Sequence, residues 1–265
     1  MSSRYWRSCT FSPCRERWND EGVRLTAYGH ATFRCDTPDG HIVFIDPWTS
    51  GNPLCPPELR AVSAADLILI THGHADHVGD VRTIAPATGA RVLCVVELGK
   101  WLGSRGLRNI GTMNVGGVLK PLSDVEVTMT PAAHSSSVDE EPTAYVGVAA
   151  GFVLAFSDGA RIYHAGDTAV FRAMTAIGEV HRPDIALLPM GDHHTMGPRE
   201  AAYATKLLGV RQVVPMHYGI SPESRTAPDR FRRELREFGL DGVEVLDMAP
   251  GESLTWQQER RSFGR

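Results

Sequence analysis

The run Leu67-Ile68-Leu69-Ile70 breaks off directly into Thr71-His72-Gly73-His74-Ala75-Asp76-His77. Four contiguous aliphatic residues bounded by polar ones read as a strand buried on both faces, the pattern of a strand inside a layered α/β sheet. Such a strand must be covered on each side, and ligands collect at the carboxyl ends of strands of this kind. Here that end carries His72, His74, Asp76 and His77. Neutral imidazole and carboxylate are donors that borderline divalent ions prefer, and the small Gly73 and Ala75 between them leave room for an ion.

The rest of the chain supports strands with helices interleaved. Strands are expected over Val23–Ala27, Thr32–Cys35, His41–Ile45, Asp66–Ile70, Arg91–Val95 and Val125–Thr130. Further strands are expected over Phe152–Phe156, Arg161–His164, Ile185–Pro189, Val210–Met216, Glu244–Leu246 and Ser253–Trp256. Thr37-Pro38-Asp39-Gly40 and Asp158-Gly159 have the residues of hairpin turns. Helices are expected over Val78–Ala85, Glu97–Ser104, Ala169–Ile177, Pro198–Leu208 and Asp229–Phe238. The domain reading is a poorly ordered extension at 1–22, one domain at 23–256, and a basic tail at 257–265.

Composition narrows the class. With 42% hydrophobic and 22% charged residues in 265, the chain has the make-up of a globular protein, not of a low-complexity one. Its longest apolar stretch, Val146 to Phe156, is interrupted by Gly147 and Gly151 and is too short to span a bilayer. The net charge is −4, and arginines gathered at both ends leave the body more acidic still. That balance disfavours a nucleic-acid enzyme, which needs a basic face, and no membrane partner is expected. Five cysteines without a Cys-x-x-Cys, and no secretory pattern at the start, suggest free thiols and a cytoplasmic setting.

Three more donors fall at expected strand ends: His134 in Pro131-Ala132-Ala133-His134, Asp167 in His164-Ala165-Gly166-Asp167, and His217 in Pro215-Met216-His217. Each alone has an ordinary reading as a turn former or a satisfied histidine. Together with the 72–77 cluster they suggest one convergent metal centre. His193 and His194, after Asp192 in the loop beyond Ile185–Pro189, open on the same strand-end face and are candidate proton donors or substrate contacts. His30 is a candidate for lining the site. His164 and Asp46 are candidates for supporting ligands from behind, Asp46 as acceptor for a ligand imidazole. Trp48 and Met196 read as packing residues or as walls of a substrate cleft.

The order His-x-His-x-Asp-His, a distant His, Gly-Asp-Thr and a late His resembles the metallo-β-lactamase fold superfamily over about residues 23–256. Gly29-His30-Ala31, Ile45-Asp46-Pro47, Ser50-Gly51-Asn52-Pro53 and Thr195-Met196-Gly197-Pro198 are similar to the bacterial metal-dependent hydrolase group, related to L-ascorbate-6-phosphate lactonase. The resemblance implies a four-layer αββα sandwich with two divalent ions at one edge, zinc first, with manganese, iron, cobalt or nickel also suited. His72, His74 and His134 would hold one ion, Asp76, His77 and His217 the other, and Asp167 would bridge them. It implies hydrolysis of a small-molecule lactone, ester, amide or phosphoester by a hydroxide shared between the ions, with Asp76 orienting the water or receiving its proton. Assembly into homo-oligomers is also implied. A nuclease or phosphodiesterase of the same superfamily lacks the basic arm it needs here, and a redox di-iron protein of the superfamily has Glu at the place of His74. A metal-binding protein without catalysis is the remaining alternative.

Overall fold

The computed structural model describes residues 4–9, 22–140 and 142–258. Two mixed sheets form the frame. In the first, β1 (Arg4–Cys9), β17 (Ser253–Gln258), β2 (Arg24–Gly29), β3 (Thr32–Asp36), β4 (Ile42–Ile45), β5 (Leu67–Leu69), β6 (Arg91–Val95) and β7 (Ile110–Met113) lie in that order. The second runs β8 (Val118–Leu122), β9 (Val125–Pro131), β12 (Ala150–Phe156), β13 (Arg161–His164), β14 (Ile185–Pro189), β15 (Gln212–Met216) and β16 (Glu244–Val245). A short ribbon, β10 (Ser137–Val138) with β11 (Ala144–Tyr145), stands apart.

Both sheets follow one scheme. Each is antiparallel on one side and parallel on the other: β4 to β7 in the first, β13 to β16 in the second. The parallel strands are the apolar runs; β5, β14 and β15 are buried at every residue. Bonds between the sheets tie their edges at the site: Ala150 N donates to Thr71 O at 3.0 Å and His217 N to His30 O at 2.9 Å. The helices α1 (Ala75–Val78), α2 (Val81–Thr88), α3 (Val96–Ser104), α4 (Met174–His181), α5 (Pro198–Leu208) and α6 (Ala227–Glu237) complete the α/β architecture. No helix among the described residues is long and apolar enough to cross a membrane.

Four expectations are corrected. Within 1–22, Arg4–Cys9 is a strand, paired antiparallel with β17, and β17 itself runs to Gln258, into the segment read as a tail. An unpaired β17 would leave a row of backbone donors and acceptors open, and β1 satisfies them. Residues 1–3, 10–21 and 259–265 lie outside the described residues. The helix expected at Val78–Ala85 is split into α1 and α2 at Gly79, whose φ is +46°. A Cβ there would stand 2.6 Å from Pro47 O, and Asp80 N donates to that oxygen at 2.8 Å, so the chain must turn at this point.

The helix expected at Ala169–Ile177 starts only at Met174. Before it, Ala169 N is held by Ala133 O at 3.1 Å and Thr168 Oγ1 accepts from Ala133 N at 2.9 Å, so this stretch is tied to the loop carrying His134. Beyond these four corrections, β7, β8 and the β10–β11 ribbon carried no expectation. Gly111 breaks the apolar pattern of the first, and Pro121 that of the second, an edge strand.

Candidate metal centre and the cleft beside it

Every donor sits just beyond a strand. Asp46 follows β4, the 71–77 segment follows β5, His134 follows β9, Asp167 follows β13 and His217 follows β15. The one-turn α1 carries Asp76 and His77 into the site. His72, His74 and His134 bring ligand atoms within 4.8 Å of one another; so do His30, Asp76, His77 and His217, and so do His72, His77 and Asp167. The structure thus brings together all seven ligand candidates, and it sets His30 beside Asp76, His77 and His217.

Asp167 is the hub. Its Oδ2 lies 2.9 Å from His217 Nε2, 3.3 Å from His77 Nε2, 3.7 Å from His134 Nε2 and 3.9 Å from His72 Nε2. Asp76 Oδ2 is 2.9 Å from His30 Nε2, 3.6 Å from His217 Nε2 and 3.7 Å from His77 Nε2. On the other side, His74 Nδ1 is 2.9 Å from His72 Nε2 and 3.3 Å from His134 Nε2.

The hydrogen bonds behind these rings decide which nitrogen faces the site. Thr71 Oγ1 donates to Asp46 Oδ2 at 2.6 Å, so toward His72 Nδ1, 3.0 Å away, the hydroxyl is an acceptor. His77 Nδ1 donates to the same Asp46 Oδ2 at 2.7 Å, while Asp46 Oδ1 accepts from Thr71 N at 2.8 Å. One fully buried carboxylate thereby puts the protons of two histidines on Nδ1 and turns both Nε2 lone pairs inward. The sequence singled out Asp46 for such a place; it gave Thr71 no role, and Thr71's position directly before His72 was the available signal.

His77 Nε2, His217 Nε2 and Asp167 Oδ1 are buried without a hydrogen-bond partner. Buried polar atoms seldom remain so unless something else binds them. Inward-facing imidazole nitrogens and two carboxylates are also a donor set for a divalent ion, so the residues fit the metals that the sequence implies. The electrostatics agree. Burial alone disfavours charge on His77, yet Asp167 and Asp46 outweigh it and raise its pKa well above the usual value. His217, opposed by burial and favoured by Asp167, is raised to about 9. A field that draws protons onto these rings also draws a cation. At His72 burial wins, and its pKa is well below normal.

His30, His164 and the loop histidines differ in kind. His30 adopts φ +58°, lies over His217 with ring centroids 3.8 Å apart, and is lowered to about 4 by burial. Asn52 of the Ser-Gly-Asn-Pro segment donates to Gly29 O at 3.1 Å and fixes the turn that presents His30. His164 reaches no ligand; its Nδ1 accepts from Gly166 N at 3.1 Å and its Nε2 donates to Ala31 O at 3.0 Å, joining the sheets. His193 and His194 are exposed, outside the metal groups, and stand with Asp192 in the wall of a cleft of about 560 Å³ that Asp76 and His217 also line. Tyr218, Ile220, Ser221, Glu223 and Ser224 also line it without having been expected there. Trp48 and Met196 do not line it: Met196 is buried, and Trp48 packs edge-on against His30 at 5.3 Å.

The family model for beta-lactamase superfamily domains matches residues 41–218. A "UPF0173 metal-dependent hydrolase" of Rubrobacter xylanophilus is 48% identical over 235 residues, 88% of this chain and 96% of that protein. The chain belongs to this superfamily and to its UPF0173 group. A second member of the group, from Koribacter versatilis, is 45% identical over 237 residues, 89% of this chain and 98% of its own. Among solved structures of the superfamily, a metallo hydrolase named Igni18 from the archaeon Ignicoccus hospitalis is 38% identical. It superposes with a TM-score of 0.77 over 89% of this chain and 99% of that one.

Proposed function

We propose that this chain is a binuclear metal-dependent hydrolase of small molecules. The observation that carries the reading is the reach of Asp167, whose Oδ2 stands within 3.9 Å of Nε2 atoms from both histidine groups. His72, His74 and His134 would hold one ion, and Asp76, His77 and His217 the other, with zinc the first choice. Divalent ions in such a pair supply a hydroxide at neutral pH and Lewis-acid pull on the scissile carbonyl or phosphoryl oxygen.

The chain's own residues do the rest. Asp76 Oδ2, steadied by His30 Nε2 at 2.9 Å, is the acceptor for the water proton. His193 or His194, across the cleft, hands a proton to the leaving group. Asp46 and Thr71 keep the ligand rings from turning. The hydrolase names of the relatives support the activity, and the free, buried Cys35, Cys55 and Cys94 support a cytoplasmic setting.

The test is metal content per chain on protein purified without added metal, with lactone, ester, amide and phosphodiester substrates run on the same sample. Near two ions per chain with turnover of one class is the expected result. Chain that stays metal-free and cannot be loaded overturns the ligand assignment.

A further inference from the structure

We infer that the cleft selects substrates whose arm beyond the reacting group is uncharged and apolar, and disfavours those whose arm is anionic; this rests on the hydrolase reading above. The first observation is the missing counter-charge. Among the described residues, no Lys or Arg lines the cleft, whereas Asp192 and Glu223, both exposed, do. The nearby cation of α6, Arg230, is already engaged: its Nη1 is 3.0 Å from Asp192 Oδ2.

Part of the nearby backbone is already engaged. Anion sites without basic side chains use free N–H groups at turns and helix starts. Here Gly191 N is bound to Thr195 Oγ1 at 3.3 Å, Gly219 N to Ser224 Oγ at 2.9 Å, and Ser224 N to Ser221 O at 3.2 Å. An anionic arm would give up its hydration beside Glu223 and meet no Lys or Arg there, only the imidazoles of His193 and His194 and the Ser221 hydroxyl.

The wall provides apolar surface instead. Ile220 stands 43% exposed on it. The Tyr218 hydroxyl turns away to Asp247 Oδ1 at 2.7 Å, leaving the ring for the cleft. Behind Tyr218 and His30, a second cavity of about 120 Å³ is lined by Phe33, Leu54, Val214 and Met248. Each methylene of a substrate arm covered by such a surface improves binding about threefold to fourfold.

The experiment compares two esters on the metal-loaded full chain: para-nitrophenyl hexanoate and mono-para-nitrophenyl adipate, which differ in a terminal methyl against a carboxylate. A kcat/KM about tenfold or more in favour of the hexanoate is expected, and Glu223→Lys narrows the gap to within about threefold. The same protein is titrated calorimetrically with hexananilide and adipanilic acid, whose binding needs no turnover. Preference for the neutral anilide without turnover of either ester supports the charge selection and counts against the hydrolase reading. Equal or better use of the adipyl ester, anilides bound without preference, or neither anilide bound, each overturns the inference.

Discussion

Across the site, two walls contrast. On the side of the first sheet, Asp46, Thr71, His72 and His77 are all fully buried and joined by hydrogen bonds that fix each ring. On the far side, Asp192, His193, His194 and Glu223 are exposed, and the two histidine rings stand edge to face, with centroids 4.3 Å apart. Burial and full hydrogen bonding give precision, and exposure gives room to vary. The first wall is therefore suited to holding ions in one arrangement, and the second to deciding what is brought to them.

This contrast can be broken from the rigid side first. Asp167→Ala removes the hub and is expected to lose bound metal and hydrolysis together, read by elemental analysis and rate on the same preparation. Retention of both would remove the basis for the binuclear reading. Asp46→Ala touches no ligand position proposed for the ions, yet it strips the partners of Thr71 and His77. Metal affinity should fall about 10- to 100-fold in a competition titration. Stability to denaturant should fall by about 3 kcal/mol.

The open wall should answer differently. His194→Ala and His193→Ala, made separately, should leave metal content intact. In one of the two, kcat should fall about 100-fold, which assigns the proton donor. A loss of metal in either would erase the distinction between the walls. Thr71→Val keeps the shape of the side chain but removes the relay between His72 and Asp46; metal affinity should fall about tenfold, with the fold intact by circular dichroism. The smallest effect is expected for Arg230→Ala on the rim, whose exposed pair with Asp192 contributes under about 1 kcal/mol to thermal stability.

The contrast also explains what was legible in the sequence. The donors were visible because each follows an apolar run that is recognisable from a few residues, as in Leu67–Ile70 before His72 or Val213–Met216 before His217. Asp46 was visible because its own strand and Pro47 bracket it. Thr71 was not, because its role depends on two rings reached only after the loop has folded. The lining residues Tyr218, Ile220 and Glu223 come from the segment around the 3₁₀ turn Pro222–Thr226, which has no apolar period to betray it. The split at Gly79 and the late start of α4 were hidden for a similar reason: Pro47 O and Ala133 O, distant in sequence, fix both. Strand Arg4–Cys9 needs β17, at the far end of the chain, before it has anything to pair with.

His30, Asp46 and His217 all adopt left-handed backbone, with φ of +58°, +48° and +56°. Glycine or asparagine would relax those turns and forfeit the imidazole or carboxylate; a β-branched residue would forfeit both. Each codon is thus under two demands that few residues meet together. A library randomised at these three positions should sort into chains that fold but are inert and chains that do not fold, with almost no neutral neighbours between. Among the exposed cleft residues, Asp192 and His193 share this constraint, with φ of +58° and +46°, so tolerance to change on that wall should be greatest at Ile220 and Glu223.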